Sequence, residues 1–305
     1  MAVITPQLIV SLRTGFSKIF QNAYENTPSD WEKIATRVES KSSSNTYGWL
    51  GQFPRLREWV GDRVIKSMRA QAYQIVNRTF ESTVEVSRAD IEDDNVGIYA
   101  PLFEEMGRAV KVFPDELVFE LLKNGHQNPC YDGQNFFDTD HPVFPEVDGT
   151  GTPTLVSNND VPATGAGPAW FLLDTSKAIK PFIFQERTKP ELETITSTDN
   201  SHVFMRDAYL YGVRYRCNAG YSLWQLAYRS QQPLTADNLK KAISAMKSFK
   251  ADGGRPLGIK PTLLVVPTEL EWQARALIEK QFLPNGDSNE LYKVVDILVS
   301  PWLSS

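Results

Sequence analysis

Side chains of the types that bind metal ions are concentrated in one short segment near the middle of the chain: His126, Cys130, Asp132, Asp138, Asp140 and His141. Imidazole, thiolate and carboxylate groups bind zinc, and a zinc ion with one open coordination position activates water for hydrolysis. The spacing of these residues matches no standard zinc signature. One hypothesis is nevertheless a metal-dependent hydrolase centred on residues 126–141.

The same segment also contains sequences that typically form turns. In Asp132-Gly133 and in Asp138-Thr139-Asp140, an aspartate oxygen can accept a hydrogen bond from the nearby backbone. Asp140 and His141 could form half of a hydrolytic dyad, but neither a Gly-x-Ser-x-Gly elbow nor a partnered Cys/His motif accompanies them. We therefore favour a surface loop, and we expect no catalytic residue, no metal site and no cofactor.

A long helix is predicted immediately before this segment, over residues 90–124. Asp90 can cap its first turn, Pro114 should kink or restart it, and Gly125 is a plausible end. One apolar stripe recurs at helical spacing: Ile98, Leu102, Met106, Ala109, Val110, Leu117, Val118, Leu121 and Leu122. Residues 125–168 are rich in Gly, Pro, Asn and Asp, which predicts a long loop with a short strand at 135–138.

Strands are predicted over residues 169–230. Short apolar runs occupy 170–173 and 181–185, and 209–228 reads as a long alternating pair of strands with a bend at Gly220. The residues predicted to share one face of the first strand are Tyr209, Tyr211, Val213, Tyr215 and Cys217. Period-2 alternation indicates a sheet with one face against a core.

The last 72 residues, 234–305, have an α/β pattern. Thr235 should cap a helix that reaches Phe249 and ends at Gly253-Gly254. Apolar runs at 263–266 and 294–299 predict buried strands, and Thr268 with Glu271 resembles a capping box between them. The chain as a whole is therefore predicted to be α+β.

Composition narrows the class of protein. The chain has 305 residues, is 41% hydrophobic and carries a net charge of −5, which argues against disorder and against a dedicated nucleic-acid binder. Residues 1–70 contain ten Lys and Arg and six Asp and Glu, a net charge of +4, so the remaining residues have a net charge of −9. No apolar run is long enough for a membrane helix, and we expect no secretory signal. Two cysteines in a chain of this length are typical of a protein in a reducing compartment.

Residues 47–94 read as an extended arm that cannot be buried in its own domain. Alternating residues from Tyr73 to Val86 predict one strand, and an aromatic and arginine-rich first half predicts another, separated by residues 66–69. An isolated two-stranded ribbon is marginal in water, so we expect a second copy of the chain to cover it. The predicted subunit-interface residues are Trp49, Phe53, Arg55, Arg57, Glu58, Trp59, Arg63, Tyr73, Phe80, Glu81 and Glu85.

A series of short sequence words, in this order, resembles the major head subunit of Mu-like phages, the gpT family. The words are YGWLG at 47–51, REWVG at 57–61, YDGQNFF at 131–137, DHP at 140–142, PFIFQER at 181–187, YGVR at 211–214, GYSLWQ at 220–225 and PTLLVVP at 261–267. Each word is weak by itself, but together they cover almost the whole chain.

The resemblance implies the α+β capsid fold of tailed phages, the Hong Kong 97 type. The parts it implies are an N-terminal arm that crosses to neighbouring subunits (1–49), an extended E-loop (50–89), a peripheral domain (90–233) with a spine helix (90–124) and the long loop (125–168), and an axial α/β domain (234–305). No charged, coiled-coil-like region is visible at the N-terminus, so we expect scaffolding to be a separate protein.

The implied function is that of a structural protein, not an enzyme, whose copies form an icosahedral shell around phage DNA. The resemblance implies hexamers and pentamers of the chain as partners, with a scaffolding protein, a portal, a decoration protein where one is present, and packaged double-stranded DNA bound without sequence specificity. It also implies assembly in the cytoplasm of the host bacterium, location in the virion, and no membrane partner. A ring-forming virion component and the metal-dependent hydrolase are the alternatives.

Overall fold

The computed structural model describes residues 4–51, 73–93, 95–197, 199–283 and 285–304. The helices of these residues are Pro6–Asn26 (α1), Trp31–Ile34 (α2), Arg88–Glu92 (α3), Ala100–Asn124 (α4), Ser201–Arg206 (α5), Ala236–Lys247 (α6) and Glu271–Ile278 (α7). Short 3₁₀ turns occupy Val96–Tyr99, Trp224–Leu226, Thr268–Leu270 and Pro301–Leu303. Within the described ranges, no helix is both long and apolar enough to cross a membrane.

The strands occur in runs between these helices, as is typical of an α+β fold. They are Ala35–Glu39 (β1), Ser44–Tyr47 (β2), Tyr73–Val76 (β3), Arg78–Ser87 (β4), His141–Val143 (β5), Thr154–Val156 (β6), Asn159–Asp160 (β7), Trp170–Leu173 (β8), Phe182–Ile195 (β9), Ala208–Tyr221 (β10), Ala227–Ser230 (β11), Leu263–Val266 (β12) and Asp296–Val299 (β13).

A four-stranded sheet in the order β1-β9-β10-β4 forms the first layer. Its central pair, β9 and β10, is antiparallel, and each of the two strands has 14 residues. The predicted alternating face of β10 is confirmed, since all five of its named residues from Tyr209 to Cys217 are buried. Helices α1 and α4 pack against one another beside this sheet, and α4 also contacts β10.

A five-stranded mixed sheet in the order β13-β12-β8-β11-β7 forms the second layer. Three of its strands come from residues 159–230 and two from residues 263–299. Hydrogen bonds therefore cross residue 233, where the sequence suggested a boundary between two domains. All four residues of β8, of β11 and of β12 are buried, which accounts for the unbroken apolar runs of β8 and β12.

The N-terminal segment lies against its own chain. The ring of Phe16 in α1 stacks on Phe103 in α4 with centroids 4.2 Å apart, and its edge meets Tyr211 at 5.3 Å. A Cβ atom at Gly107 would lie 2.5 Å from the carbonyl oxygen of Phe20, so only glycine permits this approach of the two helices. β1 is paired to β9 as well, so residues 6–39 pack on their own chain.

The predicted ribbon over residues 47–94 is also anchored to the body of the chain. β3 pairs with β2, and β4 pairs along its whole length with β10. Residues 73–93 are therefore not a free ribbon, although most of the side chains of β3 and β4 are not buried. Its first half, including the break at 66–69, lies outside the described residues.

The predicted apolar stripe was wrong at its start. Ile98, Leu102 and Ala109 are exposed, whereas Phe103 and Met106 are buried. Ile98 lies in the 3₁₀ turn between α3 and α4, outside the long helix, and within α4 the buried face is centred on Phe103 and Met106. Asp90 does not cap the long helix, because it lies inside α3 and accepts a hydrogen bond from the Tyr99 hydroxyl at 2.6 Å.

Other local predictions also need correction. α4 continues through Pro114 as one helix, residues 135–138 form no strand, and Gly220 lies inside β10. α6 begins at the predicted Thr235 cap but ends at Lys247, before Phe249. Thr268 bonds to the Ser304 hydroxyl at 2.7 Å instead of forming a capping box with Glu271.

A buried carboxylate joins the N-terminal segment to the long helix. Oδ1 of Asp115 in α4 accepts hydrogen bonds from the backbone N–H groups of Asp30 (2.9 Å) and Trp31 (2.6 Å), at the start of α2. The side chain is 4% exposed. Burial raises the pKa of Asp115 from 3.8 to about 6, against the opposing effect of the two N–H donors.

We expect Asp115→Asn to stabilise the subunit at neutral pH. The raised pKa means that the folded state holds the Asp115 proton more tightly than the unfolded state. This contribution is present below about pH 4 and is lost as the pH rises through about 6. Asparagine keeps an oxygen acceptor without the buried charge, so the expected gain at pH 7.5 is roughly 1–3 kcal/mol.

Chemical denaturation at several pH values between 4 and 8 measures this effect. The exposed Asp199→Asn serves as the matched control and should leave the profile unchanged. If Asp115→Asn were less stable than the native chain at pH 7.5, the charged hydrogen bonds would outweigh desolvation and the prediction would fail.

Candidate functional site: the segment 125–168

Two adjacent aromatic residues hold the start of this segment in the core. Phe136 stacks on Tyr221 of β10 with ring centroids 4.5 Å apart, and Phe137 lies 5.5 Å from Phe171 of β8. Both side chains are buried. The segment is therefore attached to both sheets, and the prediction of a surface loop is wrong for residues 130–143, where Cys130 and His141 are buried as well.

Three of the six ligand-type side chains come together here. One atom each of Cys130, Asp132 and His141 lies within 4.8 Å of the other two. The Cys130 thiol donates to Oδ1 of Asp132 at 3.1 Å, and Nδ1 of His141 lies 2.7 Å from Oδ2 of the same carboxylate. Asp132 also accepts from the backbone N–H of Gln134 at 3.1 Å, which confirms the predicted Asx turn.

The other three ligand-type residues lie apart from this cluster. The imidazole of His126 contacts the carbonyl oxygen of Lys123 at 3.2 Å. The carboxylate of Asp138 accepts from the N–H groups of Asn135 and Thr139. Asp140 is exposed, so it forms no dyad with the buried His141.

An asparagine that sequence reasoning did not single out organises the cluster. The amide nitrogen of Asn158 donates to the carbonyl oxygens of Phe136 (2.8 Å), Ala227 (3.3 Å) and Trp224 (3.4 Å). Its oxygen accepts from the N–H of Asp138 at 2.9 Å and lies 3.2 Å from Nε2 of His141. The three carbonyls determine which way the amide points, so this oxygen must face the histidine.

His141 is consequently held from every side. Both of its ring nitrogens face oxygen acceptors, and its ring stacks on Trp224 with centroids 4.0 Å apart and planes 10° from parallel. The side chain has no exposed surface. No pattern in the sequence could have paired Asn158 with His141, because Asn158 lies in a Ser-Asn-Asn-Asp run that resembles any polar loop.

The hydrogen bonds within this cluster fix the conformation of the loop. Burial and the negative charge of Asp132 raise the pKa of the Cys130 thiol far above its usual range, so the thiol stays protonated and is a poor nucleophile. Each of the three candidate ligands already bonds within the cluster or to Asn158. A hydrolase needs an open path for its substrate, and His141 has none.

The predicted subunit-interface residues fall into three groups. Phe53, Arg55, Arg57, Glu58, Trp59 and Arg63 lie outside the described residues. Trp49, Glu81 and Glu85 are exposed and available for a partner. Tyr73 and Phe80 contact their own chain: the Tyr73 hydroxyl accepts from the N–H of Tyr221 at 2.9 Å, and the Phe80 ring lies 4.5 Å from Phe113.

Solved structures of phage shells share this fold along its length. The subunit of the procapsid of bacteriophage JBD30 aligns with a TM-score of 0.87 and 57% identity, covering 98% of this chain and all of that one. The JBD30 capsid decorated with minor capsid protein trimers aligns with a TM-score of 0.73 and 42% identity, covering 99% and 100%. The fold is that of a major capsid subunit, a structural component of the virion.

The sequence relationship identifies the family. The family model of the Mu-like prophage major head subunit gpT matches residues 9–303, and the major capsid protein of Escherichia phage Mu is 50% identical over 304 residues, covering 99% of this chain and all of the relative. The chain belongs to the Mu-like gpT family of major head subunits, as the sequence words predicted.

We expect Asn158→Ala to destabilise the subunit by at least about 3 kcal/mol, because it leaves several buried polar groups without partners. Chemical denaturation measures the change. Asn22→Ala, an exposed position on α1, is the matched control and should change stability by less than about 0.5 kcal/mol. A loss for Asn158→Ala no larger than that of the control would show that the network is dispensable.

Both thiols should be unreactive in the folded protein. Burial raises the pKa of Cys217 to about 12 and that of Cys130 further, so little thiolate exists at pH 8. Titration with a chromogenic disulfide at pH 8 should detect no fast-reacting thiol in the native protein and two after denaturation. A rapid native reaction at Cys130 would instead favour the reactive, metal-binding or catalytic hypothesis.

Proposed function

We propose that copies of this chain assemble, as hexamers and pentamers, into the icosahedral shell that encloses the DNA of a Mu-like phage head. The observation that carries this proposal is the alignment of nearly the whole chain with a procapsid subunit. The work of such a subunit is mechanical, and it needs neither a catalytic residue nor a cofactor. Many modest contacts per subunit, multiplied by closed symmetry, make a strong container.

The positions of the first and last residues of the proposed E-loop support the proposal that it extends from a rigid base. β2 and β3 are antiparallel and pair Tyr47 with Tyr73, so the chain leaves and re-enters the body at neighbouring positions. The base is held firmly, because Gln185 bonds to the carbonyl of Ile75 and Asn218 to that of Val76. We therefore propose residues 50–89 as the E-loop, with 73–87 as the part anchored to the body.

The strand pairing in the second sheet favours an axial unit that contains more residues than 234–305. β12 and β13 would be incomplete without β8, which lies beside β12, and β11 follows β8 in the same sheet. We therefore propose that the axial unit includes residues 154–173 and 227–230 together with 234–305. The peripheral domain then keeps the spine helix and the four-stranded sheet.

Two states of the JBD30 shell differ in how closely they match this chain. The TM-score is higher for the procapsid (0.87) than for the decorated capsid (0.73). This difference supports the proposal that the conformation described here belongs to the unexpanded shell. Because minor capsid protein trimers decorate the JBD30 capsid, we propose a decoration protein as a further partner of this chain.

The remaining partners follow from what such a shell must do. We propose a separate scaffolding protein, a portal at one vertex, and packaged DNA that contacts the inner face without sequence specificity. A net charge of −5 fits a container that must not hold its DNA tightly. We place assembly in the cytoplasm of the host bacterium.

Negative-stain electron microscopy of the chain expressed with its candidate scaffolding protein tests the proposal. Closed icosahedral particles are expected. Rings or tubes would favour another virion component, and the absence of any assembled particle would contradict a shell function.

We expect Trp59→Ala to reduce the yield of particles by about tenfold or more while leaving the melting temperature of the subunit unchanged, since aromatic residues concentrate at interface hot spots. Trp31→Ala is the contrasting control. Trp31 is buried in the subunit core, so its loss should lower the melting temperature directly. Normal particles from Trp59→Ala would rule out an intersubunit role for this tryptophan.

A further inference from the structure

An open groove with an apolar floor lies at one end of the proposed axial unit. It has a volume of about 470 Å³ and lies between the end of α6 and the segments that lead into β12 and β13. The buried side chains that line it are Ile243, Ile259 and Pro261. The exposed side chains that line it are Lys247, Lys260 and Val294. The groove is therefore accessible from solvent.

The rim of this groove is positively charged. Neither Lys247 nor Lys260 forms an ion pair with any residue that the structure describes. Residues 243–262 contain four Lys and Arg and one Asp, a net charge of +3. A surface of this kind is complementary to an apolar side chain that has a carboxylate beside it.

The same unit carries such a pair of side chains elsewhere on its surface. Trp272, in the first turn of α7, is 78% exposed. Glu269 precedes it by three residues, is also exposed, and shares its face of the helix. The Glu269 carboxylate accepts from the Ser304 hydroxyl at 3.3 Å, and it forms no ion pair with a described residue. Residues 267–273 contain two Glu and no Lys or Arg, so this surface is negatively charged.

Trp272 does not reach the groove of its own chain. The Gln273 amide donates to the carbonyl oxygen of Leu234 at 2.7 Å, so α7 begins beside the start of α6. The groove adjoins Lys247 at the other end of α6, a helix of 12 residues and therefore about 18 Å long. The tryptophan and the groove thus lie at opposite ends of one unit, and only another copy brings them together.

We propose that Trp272 of one copy packs into this groove on the next copy, with Glu269 paired to Lys260 at the rim. Lys260 has a fixed base, because its backbone N–H donates to the buried carboxylate of Asp174 at 2.8 Å. Tryptophan concentrates at the centres of protein interfaces, and charge pairs at the edge of an interface fix its orientation.

A contact between two different patches of one chain is head-to-tail, and it forms a ring when the rotation between copies closes. Pentamers and hexamers are such rings, so the inference rests on the shell function proposed above and assigns one of its contacts. A single contact of this size is weak, but the contacts of a closed ring act together.

Reversal of charge tests the proposed pair. Glu269→Lys and Lys260→Glu should each reduce the yield of shells formed with the candidate scaffolding protein by about tenfold or more, since each places like charges together. The variant with both changes should recover at least about a third of the wild-type yield, because the pair is restored with its signs exchanged. Melting temperatures of the unassembled subunits should not change, since both side chains are exposed.

Glu269→Lys combined with Lys189→Glu is the matched control. Lys189 is an exposed residue of β9 in the other sheet, so this variant has the net charge of the restored pair without its contact. It should assemble as poorly as Glu269→Lys alone. Recovery in this control, or wild-type yield from both single charge reversals, would overturn the inference. Normal shell yield from Trp272→Ala would overturn it as well, whether or not a decoration protein still binds those shells.

Cross-linking of assembled shells provides a second test that keeps Trp272, Glu269 and Lys260. Thr268→Cys and Ser244→Cys place exposed thiols beside the two surfaces, while the native cysteines are buried. A short bis-maleimide should link the double variant into a ladder that ends at pentamers and hexamers on a denaturing gel, and each single variant should stay monomeric.

A product that stops at dimers would indicate a two-fold contact and contradict the inference, as would the absence of any linked product. The wild-type chain forms shells in either case, so these results would leave the proposed shell function intact. Failure of the wild-type chain itself to form shells would instead contradict that function.

Discussion

The long antiparallel pairing of β9 with β10 is the constraint on which the rest of the structure depends. One face of β10 is a column of buried side chains, and the helices α1 and α4 can only cover it by packing closely on one another at Gly107. The outer edge of the same strand pairs with β4, and its far end carries Tyr221, which anchors Phe136. One strand thus positions the N-terminal segment, β4 and the long loop.

The long loop shows how residues that could do chemistry can instead stabilise a fold. Cys130, Asp132 and His141 have the right types for a metal site, but each is bonded to its neighbours, and Asn158 and Trp224 close the remaining sides. A buried polar network of this kind is favourable only when all its members are bonded. The loop can therefore lie between the two sheets without a regular ladder of its own and still have one conformation.

A shell subunit must keep its shape while its copies contact one another, and close packing around β8, β11 and β12 makes the body of this chain rigid. In the proposed shell, contacts between copies are assigned to the segment that links β2 to β3, whose two ends lie side by side at Tyr47 and Tyr73. The residues of this segment proposed to reach a neighbour are thus separate in the sequence from those that form the rigid body.

The sequence by itself determined the α+β class, the alternating face of β10, the buried strands β8 and β12, the Thr235 cap and membership of the family, because these follow from local periodicity, local capping and short words in a fixed order. Only the tertiary structure decided which strand β4 would join, where the helical stripe would begin, and that His141 would be sealed by Asn158 and Trp224. Those outcomes depend on contacts between residues far apart in the chain, such as Asp115 with Trp31 across 84 positions. The spacing of residues along a sequence does not show which distant residues will be in contact once the two sheets pack together.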